Sequence, residues 1–246
     1  WREMNADLKA DGAPDANDEY FIYQSLTGAY PMPGHEDPEF PERVRAYLVK
    51  ALREGKVRSD WTQPDEAYER AAGDFAVALL DDSRPFLPGF LRFHRKISGF
   101  GIVNSLVQLT LKFTCPGVPD VYQGTEHWDL SFVDPDNRRP VDFGQRRAWL
   151  QEVRDMDPKT LWEHRFDGRI KVWITAKLFR LRRTYPALFT DGDYLQLPVE
   201  GMHSSHVLAF ARRYRDEWLV VVVPLHLALI QDDAGGPADW QDTRGI

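Results

Sequence analysis

A run of eight residues, LVQLTLKF at 106–113, stops against three residues that neither a helix nor a strand carries on through: Pro116, Gly117 and Pro119. Each proline removes a backbone donor, and the glycine permits a tight reversal. The run is apolar and buried in character, so the chain leaves a core here. A short strand is expected at 120–123, ended by Gly124. A long loop then carries Glu126, His127, Trp128, Asp129, Asp134, Asp136, Asn137, Arg138 and Arg139. Ordinary connections are about 4–6 residues, whereas this one approaches about twenty, and a polar, aromatic loop of that length marks a working loop.

Within it, DPDNRRP at 134–140 has a logic of its own. Asp-Pro and Asp-Asn favour turns and the flanking prolines fix the path, so two arginines are presented from a stiff segment. A guanidinium fork grips a carboxylate or two neighbouring hydroxyls at once, and Asp and Asn supply complementary acceptors and donors. Tyr122, Trp128, Phe132 and Phe143 offer flat apolar faces. Hydroxyl-gripping groups beside flat faces suit a sugar. The other reading is a solvated salt-bridge cluster of Asp134, Asp136, Arg138 and Arg139 that merely holds the loop, and composition alone leans that way.

The phrase PGVPDVYQGTEHWDLSFVDPDNRRPVDF at 116–143 resembles the end of the catalytic barrel in the α-amylase superfamily, and within it the maltooligosyltrehalose synthases. NDEYFIYQSLTGAYP (17–31), DWTQPDEAYERA (60–71) and GRIKVWITAKLFRLRRTYPALF (168–189) are similar to the same family. The short PGVP and YQG phrases are shared widely; four segments in this order are not. The resemblance implies an α/β fold: the C-terminal part of a TIM-type (β/α)8 barrel with a helical region before it, followed by an incomplete β-rich, sandwich-like domain. The expected segments are 1–112, mostly helical; 113–189, with the last barrel strand, substrate loop and closing helix; and 190–246, β-rich.

Composition bounds what such a chain can meet. With 246 residues, 43% hydrophobic and 28% charged, it can bury a sizeable core. A net charge of −7 argues against a nucleic-acid or anionic-membrane partner, since binding phosphate needs a basic surface. One cysteine, Cys115, excludes an internal disulfide and a Cys-rich zinc site, which fits a reducing, cytoplasmic setting. No run approaches the roughly 18 apolar residues of a membrane span. The chain opens at Trp1 and reads as part of something longer. No P-loop or GxSxG elbow occurs, and the calcium-loop likeness of Asp134 and Asp136 fails at Arg138, so neither metal nor cofactor is expected.

In chain order, Asn17 is expected to cap a helix reaching Thr27, with another helix at 42–53. Tyr68, Ala71, Ala72, Phe75 and Leu79 form one apolar stripe over 65–80. A further segment starts at Pro85, and its His94 is read as structural. Helices are expected at 145–154 and 170–183, the latter with Trp173, Ile174, Leu178 and Leu181 inward and its basic residues in solvent. Strands are expected at 194–198, 206–214 and 218–223, with YRDEW as the turn between the last two, which puts a boundary near 189–192.

Glycosidic chemistry needs two carboxylates about the scissile bond. By the resemblance these lie on barrel strands N-terminal to residue 17, so no catalytic residue is assigned in this chain. The resemblance implies intramolecular transglucosylation without a cofactor: the reducing-end α-1,4 link of a maltooligosaccharide becomes an α,α-1,1 link. Gln123, Glu126, Trp128, Asp134, Asp136, Asn137, Arg138 and Arg139 are then the candidate substrate contacts. The implied partners are a maltooligosaccharide and the N-terminal part of the same enzyme. Another α-amylase-type glycosidase or glucosyltransferase, or a non-catalytic carbohydrate-binding or structural module, is the alternative.

Overall fold

Apolar spacing decides where the helices lie. Phe40, Val44, Leu48 and Leu52 recur every fourth residue, and all four are buried along one face of helix α2 (Phe40–Gly55). The computed structural model describes residues 1–230, grouped into two bodies. The first comprises Trp1–Ile97 with Leu130–Pro140; the second comprises Ser98–Asp129 with Val141 onward.

The first body is helical: α1 (Ala16–Ala29), α2, α3 (Glu66–Ala78) and the start of α4 (Phe86–Thr114). The cap of α1 is Asp15, not Asn17; its carboxylate accepts the amides of Asn17 and Asp18, both at 3.0 Å. Two acceptable cap residues stand close together in DANDE, and the one whose carboxylate reaches two amides wins. Asp65 caps α3 through the Tyr68 amide, and the stripe expected on that helix buries Ala72, Phe75 and Leu79 completely. Ile22, Leu26, Leu48, Phe86 and Phe90 complete the same core. His94, 4% exposed and stacked on Phe90, is packed as the sequence suggests.

The second body takes the rest of α4, then α5 (Phe143–Glu152), α6 (Pro158–Glu163), α7 (Arg169–Thr184), α8 (Pro186–Thr190) and a three-stranded antiparallel sheet. Strands β1 (Asp193–Gln196), β2 (Val207–Tyr214) and β3 (Glu217–Pro224) lie in the order β1-β2-β3. Tyr214 pairs with Glu217 across a two-residue turn, where Arg215 takes the positive φ of 54° that a tight hairpin asks for. Phe210, Val221 and Val223 pack on Val107 of α4, while Trp218, Val220 and Val222 face solvent, the alternation of a sheet covered on one side.

Two expectations fail between 98 and 192. The run at 106–113 does not precede a strand; it is the last part of α4, and 120–123 has no regular structure. A run of eight with five apolar residues fits strand or helix, and spacing decides: Val103, Val107 and Leu111 form one stripe against the sheet. Residues 118–123 have no neighbouring strand to bond, so no ladder forms. Among the described residues every strand pair is antiparallel. On α7 the buried residues are Ile170, Val172, Thr175 and Leu178, a face rotated from the expected one, and Lys171 beside it is partly buried where solvent exposure was expected. The residues expected to form an incomplete β domain beyond 230 lie outside the described residues. No described helix is long and apolar enough to cross a membrane.

An arginine locks the second body together. Arg212, 2% exposed on β2, donates to the carbonyls of Thr114 (3.3 Å), Phe189 (3.1 Å), Gly192 (3.0 Å) and Asp193 (3.3 Å). One guanidinium thus satisfies the ends of α4 and α8 and the start of β1. Gly192 leaves room for this closure: a Cβ there would stand 2.3 Å from the Leu188 carbonyl oxygen.

Candidate functional site

The DPDNRRP segment belongs to the first body, and it is held from α2. Phe132, buried just ahead of it, stacks on Tyr47 with ring centroids 4.4 Å apart and planes at 11°. The Arg43 guanidinium lies 5.6 Å from the Phe132 ring and takes both oxygens of Asp136, at 2.9 Å through Nε and 2.8 Å through Nη2. It also donates to the Leu130 carbonyl at 3.0 Å and pairs with Asp37. The Phe132 amide donates to Asp136 at 2.7 Å, and Lys50 donates to the Asp134 carbonyl. Burial works to raise the Asp136 carboxyl, but the Arg43 hydrogen bonds and the Phe132 amide overcome it and hold the group below the usual carboxylate value.

This clamp sorts the segment. The side chain of Asp136 is 13% exposed and fully engaged, while those of Arg138 and Arg139 are 70% and 42% exposed. Arg138 pairs with Asp134 on the outer side, and Arg139 reaches Asp136 at 3.1 Å over a 3-10 turn at Asp136–Arg138. Asn137 carries a buried Oδ1 with no hydrogen-bond partner among the described residues. The salt-bridge cluster and the presented arginines are therefore both present: one carboxylate anchors, and two guanidinium groups project.

Gln123, Glu126 and Trp128 belong to the second body. Gln123 is exposed. Trp128 gives its indole N–H to the Arg165 carbonyl at 2.9 Å and packs with Val153, Leu161 and Ile170. His127 beside it stacks on Trp149 and meets the Asp167 carbonyl at 2.6 Å, an approach that Gly168 permits: with φ of 79°, a Cβ there would fall 2.3 Å from Nε2. Lys171 donates to the His127 carbonyl at 3.1 Å with its ammonium 5.4 Å from the Trp128 ring.

Burial, with repulsion from Lys112, lowers the Lys171 ammonium to about 8, against the opposing pull of Asp129 and Glu126. Its folded-state value thus lies below its unfolded one, so the folded state binds the proton less well. The resulting penalty is fully present below pH 8 and is relieved as the pH rises toward 10.5. Between pH 8 and about 10, urea stability of the second body is expected to rise with pH, and Lys171→Met to flatten that slope. A slope unchanged by the substitution would assign it to other groups.

A groove of about 950 Å³ opens between α5 and α7, lined by Phe143, Leu150, Trp173, Phe179, several arginines and Glu126. Of the candidate contacts only Glu126 lines it. The sequence reading passed over Arg43, Lys50 and Lys171. Arg43, Tyr47 and Lys50 recur at i, i+4 and i+7 beside the apolar stripe of α2, which marks a shared face but not what that face meets 93 residues away.

No protein-family model matches the chain. A putative maltooligosyl trehalose synthase of Mycobacterium tuberculosis (strain CDC 1551 / Oshkosh) is 35% identical over 210 residues, which is 85% of this chain and 25% of that protein. A crystal structure of a maltooligosyl trehalose synthase matches with a TM-score of 0.76 and 32% identity, over 85% of this chain and 27% of the other. A hypothetical maltooligosyl trehalose synthase of Sulfolobus tokodaii also gives a TM-score of 0.76 at 32% identity, over 92% and 29%. The enzyme of Arthrobacter ramosus gives 0.73 at 30%, over 96% and 29%. The chain spans about a quarter of the length of the curated relatives it matches.

Proposed function

Starting from a chain that belongs with the maltooligosyl trehalose synthases and spans about a quarter of their length, we propose that it supplies a substrate-contacting segment of such an enzyme. The whole enzyme would isomerise the reducing-end α-1,4 linkage of a maltooligosaccharide to α,α-1,1 by intramolecular transglucosylation, with the catalytic carboxylates outside these residues. The observation that carries this reading is the division of labour within residues 134–139. Arg43 immobilises Asp136, and the guanidinium groups of Arg138 and Arg139 stand in solvent beside it. Arginines pre-positioned in this way can bind vicinal hydroxyls with little ordering cost. Asn137 Oδ1 is buried and unpaired, so Asn137 would join the contacts by turning its side chain outward to a sugar hydroxyl. Asp136 and Trp128 act as framework, Asp134 sets the Arg138 rotamer, and Gln123 and Glu126 are contacts from the second body's own segment. The barrel and sandwich architecture belongs to the same proposal, as does a cytoplasmic setting.

The test uses the longer polypeptide. On maltopentaose, reducing ends are expected to disappear without shortening of the chain; release of smaller sugars would point to an α-amylase-type hydrolase instead. Arg138→Ala should lower kcat/KM by about 10- to 100-fold, the loss of one charged hydrogen bond, while stability stays within about 0.5 kcal/mol. An unaltered rate with a large fall in melting temperature would make the arginine a structural clamp.

A further inference from the structure

The groove between α5 and α7 is chemically unlike the rest of this acidic chain. Arg146, Arg147 and Arg154 on one side and Lys177, Arg180 and Arg183 on the other line it, against the single carboxylate of Glu126. Elsewhere Arg43, Arg53, Arg58 and Arg169 are ion-paired, whereas Arg182 and Arg212 are satisfied by backbone carbonyls. None of the six groove cations is ion-paired among the described residues; Arg146 and Lys177 instead lie over Trp149 and Trp173, each at 5.2 Å. The same lining holds Phe143, Leu150 and Phe179, which are 56%, 49% and 48% exposed. Large half-exposed side chains sharing one concavity mark a surface built to be covered.

We infer that this groove docks an amphipathic helix with an acidic flank, supplied by another polypeptide segment, its apolar stripe on Phe143, Leu150 and Phe179 and its carboxylates on the six cations. Three observations select that occupant. A channel between two helices offers the ridges and grooves into which a third helix packs. A helix about 10 Å across occupies about 420 Å³ per turn, so a cavity of 950 Å³ seats about two turns. The lining sets six cations against one carboxylate, which selects an acidic partner and steers it, and it offers Phe143, Leu150 and Phe179 to an apolar stripe. A nucleic acid would meet the net charge of −7 over the remaining surface. Residues 231–246 also carry Asp232, Asp233, Asp239 and Asp242, and their removal is one arm of the test below. This inference is independent of the sugar-binding reading.

The test measures anisotropy of a fluorescein-labelled helical peptide of about 18 residues. Its leucines stand at i, i+3, i+4 and i+7 and glutamates flank them; a second peptide carries lysines instead. The acidic peptide is expected to bind the intact chain, more weakly as salt rises, and the basic one not to bind. Arg180→Glu with Arg183→Glu should weaken the acidic peptide at least ~tenfold and admit the basic one, a reversal that mere misfolding would not produce. Phe179→Ser should weaken the acidic peptide alone. The proposal fails if neither peptide binds, if both bind alike, or if the charge reversal changes nothing. It fails equally if phosphatidylserine vesicles bind in place of the peptide, or if the peptide binds only after the chain is cut back to Ile230, which would make residues 231–246 the occupant.

Discussion

Arg43→Ala is expected to destabilise the first body by about 3 kcal/mol, because it leaves the Asp136 carboxylate, only 13% exposed, without its main partner. Asp136→Leu in the same background should recover much of that loss, since removing both charges is cheaper than stranding one, and the double-mutant cycle gives the coupling. Hydrogen exchange of the α2 and 132–139 amides is the measurement; unchanged protection in the single variant would sink the clamp. Acid makes the same cut without mutation. The Asp136 carboxyl is held below its ordinary value of 3.8, so its contribution is present above that pH and is lost as the pH falls through the lower folded-state value. Opening of 132–139 should therefore begin below about pH 4 in the wild type and be insensitive to pH in Asp136→Leu.

Arg212→Leu should have a larger effect, about 4 kcal/mol, on the second body. Leucine suits the site in polarity but strands four carbonyls, of which those of Thr114 and Phe189 are buried most deeply. Arg212→Lys should recover only part, because one ammonium cannot span acceptors spread over α4, α8 and β1. Urea denaturation read at Trp218 on β3, beside Arg213, reports it. A loss below about 1 kcal/mol would mean that solvent satisfies those carbonyls in the variant.

Local signals were readable where the periodicity was long. Helix α3 and the β2–β3 hairpin lie within a residue or two of their expected ends, because a five-residue stripe and a YRDEW turn flanked by valines each admit one reading. The strand expected at 120–123 is absent because no neighbouring strand lies beside it to bond, which a short stretch between breakers does not reveal. In the candidate site the sequence singled out DPDNRRP but not its division into anchor and contacts. That division depends on Arg43 and Phe132, which meet Asp136 through tertiary packing, and no spacing rule reaches across 93 residues. Lys171 escaped for the converse reason: a lysine in a basic helical run reads as solvated until packing buries it.

The first body is not contiguous in the chain: Leu130–Pro140 returns to it after Ser98–Asp129 has gone elsewhere. Synthesis must pass residue 140 before Phe132 can cover Tyr47 and before Arg43 can meet Asp136. At about 5–20 residues per second, the helices made by Ile97 wait roughly 2–9 s on the ribosome with an aromatic seat open and Arg43 paired only with Asp37. That interval is a window for chaperone capture or for aggregation, and it would close if the order of the chain were permuted to bring the 130–140 segment forward.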